Sequence, residues 1–246
     1  MKYEKDIEKL RSLYYDYRES YERLYEEFKS SRTKQEYCRG GEVLHRGYYC
    51  PSPVLDIVVG RGNRGRLVKH PRKNTLYDYI YYKNEDGRLL MAEKYDTFLP
   101  TASANSPPCS REFVIASGRT EIAPIYELNP ISGQISIASL SLCEFDEGGR
   151  LLSYSILHMP TYLDSNNQLK TMEDCMQFYS EHFRYDSHGL LEESSLKDTF
   201  DKFTRICRFK FFHDLQGFLS SYLSGDEQGN YSPNIYQIPA CKRRRI

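Results

Sequence analysis

The sequence predicts a mainly β protein: antiparallel β-hairpin repeats in a meander-type sheet, preceded by a long N-terminal amphipathic helix. Three observations predict it. First, a short phrase recurs six times: an apolar or aromatic residue, a polar turn, a glycine, then an aliphatic residue two positions later. The glycines are Gly65, Gly87, Gly133, Gly149, Gly189 and Gly217, followed by Leu67, Leu89, Ile135, Leu151, Leu191 and Leu219. Such recurrence means that one supersecondary unit is reused. Second, the chain holds 22 Tyr and 12 Phe but no Trp, and aromatic side chains favour pleated surfaces that are buried at one end and wet at the other. Third, Tyr3, Ile7, Leu10, Tyr14, Tyr17, Tyr21, Leu24 and Phe28 alternate spacings of four and three, which is one stripe of a helix. The predicted organisation is a helix over 1–33, a degenerate β-hairpin repeat domain over 40–225 and a polar, basic tail over 226–246.

The elements follow in order. The helical stripe spans residues 2–30 and is compatible with a coiled coil. Tyrosine fills four of its eight positions, and rings with hydroxyls suit packing on the chain's own sheet better than a dimer seam. Ser30 to Thr33 end the helix, and Gly40-Gly41 turn the chain. Residues 43–70 read as strands, with Leu55–Val59 a β-branched run. Residues 76–83 and 89–95 flank Asn84-Glu85-Asp86-Gly87 as a hairpin. Residues 99–110, rich in Pro, Ser and Ala, form a loop. Several strands fill 112–145, turning at Asn129-Pro130 and Ser132-Gly133, and the strand over 135–145 serves two hairpins, which makes a meander. Residues 159–172 are loop-like, and 171–180 read as a short helix with Thr171 and Asp174 as a capping box. Hairpins follow around Asp186–Gly189 and Asp214–Gly217. The end of the chain is expected to fray.

Several turns carry a further pattern. Phe145-Asp146-Glu147-Gly148-Gly149-Arg150-Leu151 and Tyr185-Asp186-Ser187-His188-Gly189 are its fullest forms, joined by the turns ending at Gly87 and Gly217. Asp or Asn three before the glycine bonds its own backbone and starts the turn, and glycine supplies positive φ. These units resemble the YD repeats of RHS-type proteins, as scattered short units over residues 55–225. Arginine follows the glycine in three units (Arg66, Arg88, Arg150), and the Tyr-Asp pair stands in the turn position once. Small free-standing proteins with this kind of repeat resemble the immunity proteins and antitoxins encoded beside bacterial polymorphic toxins. The resemblance implies an intracellular protein whose partner is a cognate toxin, neutralised by direct contact. The alternative is a structural RHS-like interaction module without that activity.

Charge and motifs bound the function. Lys+Arg and Asp+Glu both total 34, so nonspecific binding to nucleic acid or a membrane surface is not expected. MKYEKDIEKL lacks the apolar segment of a signal peptide, and no apolar run reaches membrane-spanning length, so a cytoplasmic location is expected. The seven cysteines are odd in number and form no C-x-x-C, which fits reduced thiols. Gly60-Arg61-Gly62-Asn63-Arg64-Gly65 matches G-x-G-x-x-G, but the strand-like stretch after it ends at Pro71 instead of opening a helix. A hairpin turn therefore explains the glycines better than a dinucleotide, and no cofactor is expected. The six histidines form no H-x-x-x-H, and no G-x-S-x-G occurs, so no catalytic or metal residue is assigned and no enzyme is predicted. The candidate partner-binding residues are Arg61, Arg64, Arg66, Lys69, Arg72 and Lys73. They form either a solvated strand edge that blocks unwanted pairing or a docking patch for an acidic protein or phosphate. Lys242-Arg243-Arg244-Arg245 is read as a disordered, solubilising end.

Overall fold

Five hairpins close with the same chemistry. At Asp186, the backbone N–H groups of His188 and Leu190 donate to Oδ1 at 2.8 and 2.9 Å. The Gly189 N–H donates to the Asp186 carbonyl at 3.1 Å, and the Asp186 N–H to the Leu190 carbonyl at 2.9 Å. Asn84–Gly87, Asp146–Gly149, Asp214–Gly217 and Asp226–Gly229 repeat the backbone pair and the bond from the residue after the glycine to the side-chain oxygen. These glycines have φ between +79° and +86°, the left-handed position that follows a type I turn and forms a bulge. Beside four of the turns the strand register slips, at Tyr82/Lys83, Glu144/Phe145, Arg184/Tyr185 and Phe212/His213.

The computed structural model describes residues 2–41, 45–58, 63–97, 103, 105–129, 132–166, 169–172, 175–200 and 203–246. The strands are β1 (Lys34–Arg39), β2 (Arg66–Leu67), β3 (Tyr79–Lys83), β4 (Leu89–Lys94), β5 (Ser110–Phe113), β6 (Ile115–Ser117), β7 (Thr120–Leu128), β8 (Ile135–Phe145), β9 (Leu151–His158), β10 (Thr161–Leu163), β11 (Leu169–Thr171), β12 (Gln177–Tyr185), β13 (Leu191–Phe200), β14 (Phe203–His213), β15 (Leu219–Gly225) and β16 (Tyr236–Gln237). Among the described residues, 14 of them form one antiparallel sheet in the order β16-β15-β14-β13-β12-β9-β8-β7-β5-β4-β3-β1-β2, with β6 also on β7. Neighbours in sequence are mostly neighbours in space. The exceptions are β1, which lies between β2 and β3, and β10–β11, a separate hairpin between β9 and β12.

Helices cover one face of this sheet. The single long helix expected over 2–30 is corrected to two, α1 (Lys2–Tyr17) and α2 (Tyr21–Ser31). The break has a local cause. The Tyr17 carbonyl accepts the Tyr126 hydroxyl at 2.6 Å and the Ser20 N–H at 3.1 Å, so the sheet takes the acceptor that would continue the helix. Two segments then follow a twisted sheet where one rod would lift off it. Leu10, Tyr14, Tyr21, Leu24 and Phe28 are buried against Tyr82, Met91, Phe113, Tyr126, Ile137 and Leu157. The ring of Tyr21 meets Phe113 and Tyr126 edge-on, and that of Phe28 meets Tyr82 likewise. On this face Tyr14 donates to the Ile137 carbonyl at 3.0 Å and Tyr82 to Glu93 at 2.7 Å, which is how tyrosine serves in a core.

The opposite face is covered by residues 45–58 and by the end of the chain. Here three expectations are corrected. Leu55–Val58 is a helical turn, α3, and not a strand. Ser52 Oγ accepts the Leu55 N–H at 3.0 Å and caps it, while Val54 and Leu55 are buried on the sheet. The helix expected over 171–180 is instead the end of β11, a connection, and the start of β12; Asp174 lies outside the described residues. The chain end is docked and not frayed. The Leu219 N–H donates to the Arg244 carbonyl at 2.9 Å, the Leu191 N–H to that of Ile246 at 3.3 Å, and Ile238 is buried.

Candidate functional site

Between the sheet and its 45–58 cover lies a layer of polar side chains. It begins with a strained turn. His45, Arg46 and Gly47 have consecutive φ values of +64°, +59° and +47°. Left-handed backbone costs a non-glycine residue about 1–2 kcal/mol, and such strain collects at functional sites. Tyr81 holds the turn: its hydroxyl donates to the Arg46 carbonyl and accepts from the Tyr48 N–H, both at 2.9 Å.

The turn delivers two buried side chains onto three strands. His45 Nδ1 lies 2.8 Å from Glu112 Oε1 on β5, and His45 Nε2 lies 2.8 Å from Ser139 Oγ on β8. The Arg46 N–H donates to Glu112 Oε2 at 2.6 Å. The Arg46 guanidinium pairs with Glu121 through Nη1, and its Nε lies 3.5 Å from Glu112 Oε1. Arg46 Nη2 has no hydrogen-bond partner among the described residues, although Arg46 is only 4% exposed. Glu112, Ile125 and Ser139 share a cross-strand row, because Glu112 pairs with Ile125 and Ile125 with Ser139. A cavity of about 130 Å³ opens beside the row, lined by His45, Arg46, Ile125, Glu127, Ser139 and His158 among others. Burial pushes the His158 imidazole below its ordinary pKa. A second cavity of about 350 Å³ shares Tyr79 and Lys94 with the first and extends to Gly40, Asp78 and Cys109.

Further along the same face, Ser52 donates to Glu181 at 2.5 Å. Asp56 joins two chain segments: it accepts from Arg64 Nε at 3.0 Å and from Arg244 Nη2 at 2.6 Å. Burial would raise the Asp56 carboxyl, but the two guanidiniums overcome it and hold the group below its ordinary range. At Glu181 burial outweighs the Ser52 hydrogen bond and the more distant Arg64 charge, and lifts the carboxyl from an ordinary 4.5 to about 7. The folded chain thus holds this proton more tightly than the unfolded chain. Its stabilisation is complete below pH 4.5 and is lost as pH rises to about 7, a swing of about 3 kcal/mol. Thermal midpoints of Glu181→Gln, which has no such proton, should therefore gain on those of the native chain between pH 4.5 and 7 and run parallel above that. Parallel curves throughout would contradict the assignment.

The cationic residues singled out by sequence do not stay together. Arg61 lies outside the described residues. Arg64 turns inward, donating to the Cys50 carbonyl at 2.6 Å and to the Ser52 carbonyl as well as to Asp56. Arg66, Lys69, Arg72 and Lys73 are exposed, with Arg66 in the two-residue edge strand β2. The basic tail is also structural, since Lys242 Nζ donates to the Asp56 carbonyl at 2.8 Å. The seven cysteines are free; burial raises the thiols of Cys38 and Cys50 to about 11 and of Cys143 to about 12, so these three stay protonated. Among the described residues no three His, Cys, Asp or Glu side chains are placed to hold a metal, and no helix is long and apolar enough to cross a membrane. Sequence reasoning missed His45, Glu112 and Ser139, which are brought together only by strand register.

No family model matches the chain, and no curated protein matches it. Among solved structures, a protein of unknown function from Bacteroides fragilis is similar at 9% identity over 67% of this chain and 94% of its own, with a TM-score of 0.31.

Proposed function

We propose that the chain is an intracellular binding protein that docks a protein partner on the C-terminal edge of its sheet. The observation that carries this reading is where the apolar surface lies. Phe212, Leu215, Ile235 and Tyr236 are four of the nine large hydrophobic side chains exposed among the described residues, and all four fall on or beside β14–β16. Leu215, at the tip of the Asp214–Gly217 hairpin, is fully exposed. Arg208 and Lys210 share a face of β14 with Phe212 by strand alternation, and exposed apolar side chains bordered by charge suit a specific interface. The helical cover ends before this edge: α1 packs on β8, β9 and β12 and reaches β13 through Tyr3. The resemblance to YD-repeat proteins supplies the kind of partner, a toxin encoded beside this chain, and neutralisation by covering its surface as the role. Free cysteines suit a reducing cytoplasm.

The test is co-purification with the product of the adjacent gene, followed by titration of variants. Phe212→Asp and Leu215→Asp should each weaken binding about 30-fold, the size of a hot-spot loss. Reversing Arg66, Lys69, Arg72 and Lys73 to Glu should change it little. Binding without protection against the neighbour's toxicity would leave an interaction module. Absence of binding would overturn the reading.

A further inference from the structure

We propose that Ser139, His45 and Glu112 form a nucleophilic acyl-transfer site that hydrolyses a small ester in the cavity beneath the 45–58 cover. This goes beyond the binding role and does not rest on it.

The proton positions follow from the neighbours. Glu112 Oε2 accepts the Arg46 backbone N–H at 2.6 Å, and the Arg46 Nε lies 3.5 Å from Oε1, so both carboxyl oxygens face donors. A carboxylate only accepts, so with Glu112 in that role His45 Nδ1 is the donor over 2.8 Å. In the neutral imidazole, Nε2 then has only a lone pair, and the group 2.8 Å away is the Ser139 hydroxyl. That hydroxyl also donates to the Leu157 carbonyl at 3.0 Å, so its one proton has two acceptors, and the share directed at Nε2 is the one that activates the oxygen. In the neutral state, therefore, serine, base and orienting carboxylate stand in the order that activates a hydroxyl. The left-handed turn falls at His45 and Arg46, the residues whose side chains the site uses.

The remaining parts are in place. Arg46 Nη2, buried and without a hydrogen-bond partner among the described residues, belongs to a side chain that lines the same cavity. It offers a charged donor to an oxyanion. Ala92, Ile125 and Ala138 give the cavity apolar walls, and its volume of about 130 Å³ is close to that of a cavity that admits benzene. It fits a short acyl group, and the adjoining cavity fits the alcohol. The cycle balances. Ser139 Oγ bonds to the carbonyl carbon as its proton passes to His45 Nε2. The C–O bond to the alcohol breaks, and the alcohol leaves with that proton. Water then attacks the Ser139 ester, giving one proton to His45, which returns it to Ser139 Oγ as the carboxylic acid departs.

The full chain, folded by circular dichroism, is treated with diisopropyl fluorophosphate and digested for peptide mass spectrometry. The Ser139 O–P bond should form as fluoride leaves, giving one adduct per chain at Ser139 and none in Ser139→Ala. His45→Asn, which tolerates a left-handed backbone, should slow labelling about 100-fold, as loss of a general base does. The native chain should also release p-nitrophenol from p-nitrophenyl acetate faster than Ser139→Ala does. A folded native chain that forms no Ser139 adduct and hydrolyses the ester no faster than Ser139→Ala overturns the proposal. Labelling of His45→Asn at the native rate overturns the role given to His45.

Discussion

Glu112→Ala lowers the unfolding midpoint by about 10 °C, far more than an average substitution. Glu112 is 4% exposed and receives the His45 ring and the Arg46 backbone N–H, with the Arg46 guanidinium beside it. Removing the carboxylate leaves a buried guanidinium held by Glu121 alone, an orphaned backbone donor and an imidazole without its orienting acceptor. Breaking a buried pair in this way costs about 3–5 kcal/mol, and for a domain of this size each kcal/mol moves the midpoint by about 2–4 °C. Glu147→Ala serves as a control, because the Arg119–Glu147 pair stands 64% and 93% exposed and such surface pairs contribute little. The comparison is made by differential scanning calorimetry. A loss below about 2 °C for Glu112→Ala would mean that the His45–Arg46 turn is held by its backbone contacts and not by the carboxylate.

Gly65→Ala is the second large effect. A Cβ there would lie 2.6 Å from the Arg39 carbonyl oxygen, 2.7 Å from the Gly40 carbonyl carbon and 2.8 Å from the Gly41 nitrogen, at φ +74°. These are backbone atoms at the end of β1, so relief means separating β2 from β1, where Arg39 pairs with Arg66. The displacement would also pull on Arg64 and its bonds to Asp56 and the 50–52 carbonyls. Overpacking and left-handed strain together cost about 4 kcal/mol. Gly149→Ala is the matched control, with φ +80° and nothing within 4 Å of the new atom. It carries the left-handed backbone cost alone, about 1–2 kcal/mol. The midpoint should therefore fall at least twice as far for Gly65→Ala, and equal losses would contradict the close approach at Gly65.

What the sequence disclosed was what the backbone decides locally. An Asp or Asn bonding two residues ahead, with a glycine in the left-handed position, marks a hairpin wherever it stands. Hence Gly87, Gly149, Gly189 and Gly217 could be read directly. Gly229 escaped because Tyr231, not an aliphatic residue, follows it two positions on, although Asp226 makes the same bonds. The helical stripe was visible, but the break at Tyr17 depends on Tyr126, 109 residues away. The start of β12, within the helix expected over 171–180, reads ambiguously because both faces of the strand are covered: Phe178 and Ser180 are buried on one side, Glu181 and Phe183 on the other. Coverage on both faces erases the alternation that identifies a strand. A run as short as Leu55–Val58 does not separate strand from helical turn either. The polar layer was the least legible part. His45 is 67 residues from Glu112 and 94 from Ser139, and their meeting depends on the pairings of β5, β7 and β8. Likewise, adjacency in sequence joined Arg64 to the surface cations, whereas Asp56 draws its side chain inward.

Hydrogen–deuterium exchange of the chain, alone and mixed with the protein encoded beside it, tests the partner-binding sheet most directly. Mixing should slow exchange across β14 and β15 and the Asp214–Gly217 hairpin between them, leaving residues 66–73 unchanged. Identical exchange in both samples, or slowing confined to 66–73, would contradict it.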